Sequence, residues 1–243
     1  MSHASSRHAL LAALTAILLG IVSLVLEARA QRVSFRTDDG VTIAASWYEP
    51  SFRPAPAVIL VHMLGRSRRD WDNFASRLAG AGIGALAIDL RGHGDSTYYD
   101  GSMDGSGYGS MVKDVAAARR YLGTRSDVRP AKIGIAGASI GANLAALHAA
   151  ADPAVASVAL LSPSLDYRGL RIESAVRKYG NRPMLLVSSD DDPYAQRSSV
   201  ELAKTDGIRE HLTLMAAGHG THMLSRSYGL PQALAEWFRR TLQ

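Results

Sequence analysis

Short, unbroken apolar runs alternate with helix-period segments along most of this chain, which restricts it to a sheet layered with helices. Residues 57–61 read Ala-Val-Ile-Leu-Val, with no polar side chain. A strand hidden from water on both faces reads this way, and such strands belong to parallel sheets covered on both sides. Trp71, Phe74, Leu78 and Ala81 then recur at helical spacing, and Gly82 ends the pattern. Residues 83–88 form the next strand, and Met111, Val115, Ala118 and Leu122 mark a second helix. Further strands fall at 132–136, 155–161, 184–187 and 211–215. Helices fall at 140–150 and about 194–204, and the chain closes on an amphipathic helix holding Leu230, Leu234, Trp237 and Phe238. Strand and helix in turn, joined by short connections, predict an α/β fold with a doubly wound, mostly parallel sheet. Residues 33–36 and 41–48 alternate apolar and polar around Asp38-Asp39-Gly40, a hairpin signal that adds antiparallel strands at one edge. Residues 91 to about 109 are rich in Gly, Asp, Ser and Tyr and read as a loop. The 162–182 connection is too short for a large lid domain, so the site is expected to be open or lightly covered.

With 243 residues the chain has room for one such domain, and 47% hydrophobic against 20% charged residues supplies a real core. There is no cysteine, which excludes disulfides, thiolate nucleophiles and Cys-ligated metals. The net charge of +5 is spread out. Its densest clusters, Arg66 with Arg68 and Arg69, and Arg239 with Arg240, form no long basic stripe, so they read as solvated surface rather than a nucleic-acid site. The first thirty residues differ in kind. Arg7 and His8 precede an uncharged run over 9–26, followed by Ala28-Arg29-Ala30. A basic start, an apolar stretch and a small-x-small site make residues 1–30 a secretory signal peptide. The run also approaches the ~20 residues that span a bilayer, so a retained membrane anchor is the alternative. Residues 31–243 are then the folded α/β domain, exported to the periplasm or secreted, or held at the membrane.

One pentapeptide carries specific chemistry. Gly137-Ala138-Ser139-Ile140-Gly141 falls between a predicted strand and a predicted helix. A serine hydroxyl is a weak nucleophile and must be presented to a base with little around it. A sharp strand-to-helix turn does this, and glycines two residues either side allow close backbone approach. The turn also sets Ser139 at a helix N-terminus, whose partial positive charge favours a developing oxyanion. The backbone N–H of Ile140, the residue after the nucleophile, is the expected first oxyanion donor.

With these residues the chain resembles the α/β-hydrolase superfamily, and within it the compact esterases similar to dienelactone hydrolase, from about Val33 to the C-terminus. Three further segments carry the resemblance: Val61-His62-Met63-Leu64-Gly65, Asp89-Leu90-Arg91-Gly92-His93-Gly94-Asp95-Ser96 and Gly218-His219-Gly220. The resemblance implies an acid beyond the 184–187 strand, where Asp190, Asp191 and Asp192 stand in a row. Asp192 precedes Pro193 and takes the acid's place, with Asp190 next. It implies a base in the last loop, His219 by its Gly-His match, with His222 as the alternative. The second oxyanion donor is the backbone N–H of Leu64. Here the chain departs from the pattern, because Met63 stands where the family carries glycine, and this narrows the site. His62 and His93 are expected to support loops. His219-x-x-His222 has the spacing of a metal pair, but no third ligand stands at a metalloprotease spacing.

The reading is a serine hydrolase cleaving carboxylic esters through an acyl-enzyme on Ser139, with no cofactor or metal and a small-molecule ester as partner. An acyltransferase on the same triad and a non-catalytic module on a hydrolase scaffold are the alternatives. Tyr98, Tyr99 and Tyr108 are candidates for lining the way in. If the leader is cleaved, N-terminal sequencing of the mature protein finds Gln31 first. Met1 on membrane-bound material would instead establish the anchor.

Overall fold

A computed structural model describes residues 30–97 and 105–242. The leader proposed for residues 1–30 lies, but for Ala30, outside them, as do Tyr98 and Tyr99. Among the described residues no helix is long and apolar enough to cross a membrane.

Eight strands form one sheet: β1 (Gln31–Arg36), β2 (Thr42–Tyr48), β3 (Ala55–Val61), β4 (Gly84–Ile88), β5 (Val128–Ala138), β6 (Val155–Leu161), β9 (Met184–Ser189) and β10 (Arg209–Leu214). Their order is β1-β2-β4-β3-β5-β6-β9-β10. β1 pairs antiparallel with β2, and β2 with β4; every later pair is parallel. This is the doubly wound sheet with an antiparallel N-terminal hairpin that the sequence predicts. All seven residues of β3 are buried, which is why the run lacks polar positions.

The two faces bury different helices. Ala57, Ile59 and Val61 of β3, with Leu86 and Ile88 of β4, pack beneath α3 (Val112–Gly123) and α4 (Ile140–Ala151). Val58 and Leu60 point the other way, toward Phe74 and Leu78 of α1 (Asp72–Gly80) and Trp237 and Phe238 of α7 (Leu230–Leu242). That second face is lined by small strand residues, Ala85, Ala87, Ala136, Ala138 and Ala159, beneath the large aromatics. Small against large fills the layer without voids.

Two connections differ from the sequence reading. Part of the expected loop over 91–109 is helical, as α2 (Gly105–Ser110), and Tyr108 there is buried beside Tyr167. The 162–182 connection folds into a two-stranded hairpin, β7 (Asp166–Tyr167) with β8 (Leu170–Arg171), followed by α5 (Glu173–Tyr179). Two-residue strands are too short to leave a periodic signal. Asn143 of α4 holds this segment, donating to the carbonyls of Ser164 (2.8 Å) and Leu170 (2.9 Å) and accepting from the Ser164 N–H (3.0 Å).

The loops after β3 and β4 are clasped by buried polar groups. Arg68, expected at the surface, is 4% exposed. Its guanidinium pairs with Asp89 and Asp95 and donates to the Ser46 hydroxyl, and its N–H donates to Asp89 Oδ1 at 2.7 Å. Arg91 is likewise buried, between Asp114 and Asp39. His62 accepts the Leu90 N–H on Nε2 (3.0 Å) and so donates from Nδ1 to the Met63 carbonyl (2.8 Å). His93 accepts the Gly65 N–H on Nε2 (3.2 Å), with Nδ1 on the Arg91 carbonyl (3.0 Å). Both imidazoles thereby cross-link the two loops as neutral tautomers.

Two consequences are measurable. Asp89→Ala leaves Arg68 short of its fully buried partner, so it lowers the unfolding free energy by about 3–5 kcal/mol in urea titrations. Burial holds the His62 imidazole down from its ordinary 6.5 to about 4. The unfolded chain therefore takes up a proton that the folded one refuses. Stability is full above pH ~6.5 and falls as the pH drops toward ~4. In His62→Gln the same pH series of urea titrations has a shallower slope across that window.

Candidate active site

In a parallel sheet the loops after the strands gather at one edge, and a crevice opens where strand order reverses. Here β3 and β5 flank that point, and the 137–141 turn leaves the tip of β5. Ser139 holds φ 54° and ψ −120°, a strained conformation for a residue with a side chain. A Cβ on Gly137 would lie 2.1 Å from the Gly141 carbonyl oxygen, and one on Gly141 would lie 2.4 Å from that of Val61. Both positions therefore exclude a side chain, and α4 starts in contact with the end of β3. The Ser139 N–H donates to the Leu161 carbonyl (2.8 Å), tying the turn to β6. Among the described residues the Ser139 hydroxyl has no hydrogen-bond partner.

Ile140 opens α4, so its N–H has no partner within the helix. Leu64 lies in a turn whose Met63 carbonyl accepts from the Arg66 N–H (3.2 Å) as well as from His62. Gly65 supplies the positive φ of 72° that this turn needs at its third position. Across a trans peptide the carbonyl and the next N–H point oppositely. Fixing the Met63 carbonyl thus aims the Leu64 N–H away from His62, and among the described residues that N–H is unpaired.

The three aspartates after β9 have separate partners. Asp190 accepts from the Ala216 N–H (2.7 Å). Asp191 accepts from the Ser189 hydroxyl (2.5 Å) and the Gly218 N–H (2.9 Å), which hold its carboxyl below the usual range. Asp192 Oδ2 lies 2.6 Å from His219 Nδ1. A carboxylate only accepts, so Nδ1 carries a proton, and in the neutral ring Nε2 then keeps its lone pair. Asp192 also caps α6 (Pro193–Ala203), accepting from the Ala195 N–H at 3.4 Å.

His222 stands apart from this pair. It lines a cavity of about 370 Å³ with Arg66, Asp70 and Thr221. Met63 packs against the His219 loop: a Cβ on Gly220 would lie 2.7 Å from its sulfur. Three contacts of the last loop escape sequence reasoning. The Ala217 N–H donates to the Ser189 hydroxyl (2.8 Å), and the Thr221 hydroxyl to Asp70 (2.6 Å). Ser162, buried at φ 49°, accepts the Gly220 N–H at 3.0 Å. Their only sequence signal is a hydroxyl residue at a strand end or in the histidine loop.

The serine aminopeptidase S33 family matches over residues 53–182, more than half of the chain. An uncharacterized protein of Mycobacterium tuberculosis is 33% identical over 133 residues, covering 54% of this chain and 44% of that protein. The chain thus spans less than half the length of that curated relative. Among solved structures, a dienelactone hydrolase from Anabaena variabilis superposes with a TM-score of 0.75 at 20% identity, over 89% of this chain and 100% of that one. An esterase from Pyrococcus furiosus gives 0.72 at 17% identity, over 90% and 93%. At such identities the likeness is one of fold, and the sheet order agrees with it. The chain belongs to the serine aminopeptidase S33 family, within the α/β hydrolases.

Proposed function

We propose that this chain is an exported serine hydrolase of carboxylic esters, with Ser139 as nucleophile, His219 as general base and Asp192 as the group that orients it. The observation that carries the reading is the 2.6 Å contact of His219 Nδ1 with Asp192, on loops that leave the same end of the parallel sheet as the strained Ser139 turn. The Ser139 oxygen attacks the ester carbonyl carbon and its proton passes to His219 Nε2. The backbone N–H groups of Leu64 and Ile140 receive the oxyanion, and the helix N-terminus at Ile140 adds its dipole. Collapse of the intermediate expels the alcohol, which takes the proton from His219. Water then repeats the sequence on the acyl-enzyme and frees Ser139. Hydrogen bonds between a catalytic serine and its base are often long without substrate and tighten in the complex. Replacing water by another alcohol would make the same triad an acyltransferase.

The family's name describes a peptidase, so amides are the second substrate class to test. Purified protein is assayed on p-nitrophenyl esters of increasing acyl length beside amino-acid p-nitroanilides. Ester turnover is expected to exceed anilide turnover and to vanish in Ser139→Ala. Turnover of the anilides alone would reassign the substrate to peptides. Activity unchanged in Ser139→Ala would reject the nucleophile.

The acid is tested separately. Asp192→Asn keeps the fold but favours the wrong imidazole tautomer, so kcat falls by about 10⁴-fold, the loss the same exchange causes in a serine protease. Asp190→Asn and Asp191→Asn retain an acceptor oxygen for their backbone partners and cost little. His219→Ala loses at least ~10³-fold, and His222→Ala much less. A collapse confined to Asp190→Asn would move the acid to that residue.

A further inference from the structure

The tip of β6 touches both halves of the proposed machinery through adjacent residues. The Leu161 carbonyl accepts the Ser139 N–H at 2.8 Å. The next residue, Ser162, accepts the Gly220 N–H on its hydroxyl oxygen at 3.0 Å, one residue past His219. The Ser162 N–H donates to the Val187 carbonyl (2.8 Å), which fixes the tip against β9, the strand that leads to Asp192. Ser162 is 0% exposed. It also holds φ 49°, a left-handed conformation that strains a residue with a side chain. Glycine would relieve that strain but would leave the Gly220 N–H buried without an acceptor.

We infer that Ser162 is a positioning residue, whose hydroxyl sets the place of the His219 loop relative to the Ser139 turn. The inference rests on the esterase reading of Ser139 and His219. Its logic is geometric. The nucleophile turn and the base loop lie on different strands, and each is tied to the same two-residue tip. A shift at this tip moves Nε2 relative to the serine oxygen, and displacements of about 1 Å can cost ~10²-fold in rate. The other anchors of the last loop, Ser189, Asp190, Asp191 and Asp70, reach it from the end of β9 or from the loop after β3. Only the Ser162 contact among these runs to the strand that also holds Ser139.

The test compares Ser162→Ala and Ser162→Gly with the unchanged protein. Kinetics on p-nitrophenyl acetate are read with the downfield NMR resonance of the His219 Nδ1 proton. Both variants are expected to lower kcat by about ten- to a hundredfold while KM stays within about twofold. The Nδ1 proton signal is expected to broaden or shift. Ser162→Gly relaxes the backbone, so a folded variant is available even if Ser162→Ala melts early. Wild-type kcat and an unmoved resonance in either folded variant would overturn the inference, as would recovery in Ser162→Gly alone, which would assign the effect to backbone strain. Absence of ester turnover in the unchanged protein would instead count against the esterase reading. The Nδ1 resonance would still decide the role of Ser162.

Discussion

The start of α4 lies so close to the end of β3 that residue 141 can carry no side chain. A Cβ there would sit 2.4 Å from the Val61 carbonyl oxygen and 2.6 Å from that of His62. This approach brings the helix N-terminus to the middle of the sheet and leaves Ser139 no relaxed conformation in which to join strand to helix. Strain of this kind costs of order 1–3 kcal/mol and persists only where its surroundings over-determine it. They do so here. β3 and β4 are buried throughout, and the helices of both faces press on them. The stability of the sheet offsets the strain of the turn.

Around that turn the loops are held by side chains rather than by further secondary structure. Backbone N–H groups outside helices and strands need acceptors of their own. At this sheet edge His62, His93, Ser162, Ser189, Asp190 and Asp191 supply them for Leu90, Gly65, Gly220, Ala217, Ala216 and Gly218. Each polar group is matched to one loop position, so the loops have little freedom to drift. Asp70 joins two of them, through Arg66 on its own side and Thr221 on the other. Burial works to raise the Asp70 carboxyl, but these two hydrogen bonds outweigh it and hold the group ionised. A site organised before substrate arrives loses less free energy to reorganisation during reaction.

Much of this architecture was legible in the sequence because its causes are local. Apolar runs at 57–61 and 155–161 must be strands hidden on both faces, and residues 137–141 carry their own steric requirement. The hairpin about Gly40 is equally local. What stayed hidden depends on distance along the chain. The Ser162–Gly220 contact spans 58 residues, and that of Asp70 with Thr221 spans 151. Arg68 read as surface because it stands among other arginines. Only the fold brings it to Asp89, 21 residues on. The helix at 105–110 was missed for a different reason, since Gly-Ser-Gly-Tyr-Gly-Ser has weak intrinsic helix preference.

The order of the three aspartates also follows from physics. Asp190 and Asp191 accept from N–H groups of the last loop. Asp192 comes one residue later, at the N-cap of α6, with Pro193 at the first helical position, where the missing N–H costs nothing. One of its oxygens accepts the Ala195 N–H at 3.4 Å. The other oxygen is left for His219 Nδ1 at 2.6 Å. The cap and the imidazole thus each take one oxygen of Asp192. The two preceding aspartates hold the loop that carries the imidazole. Three neighbouring carboxylates, which would repel one another in open solution, are each satisfied by a different donor, so their crowding becomes the means by which one histidine is oriented.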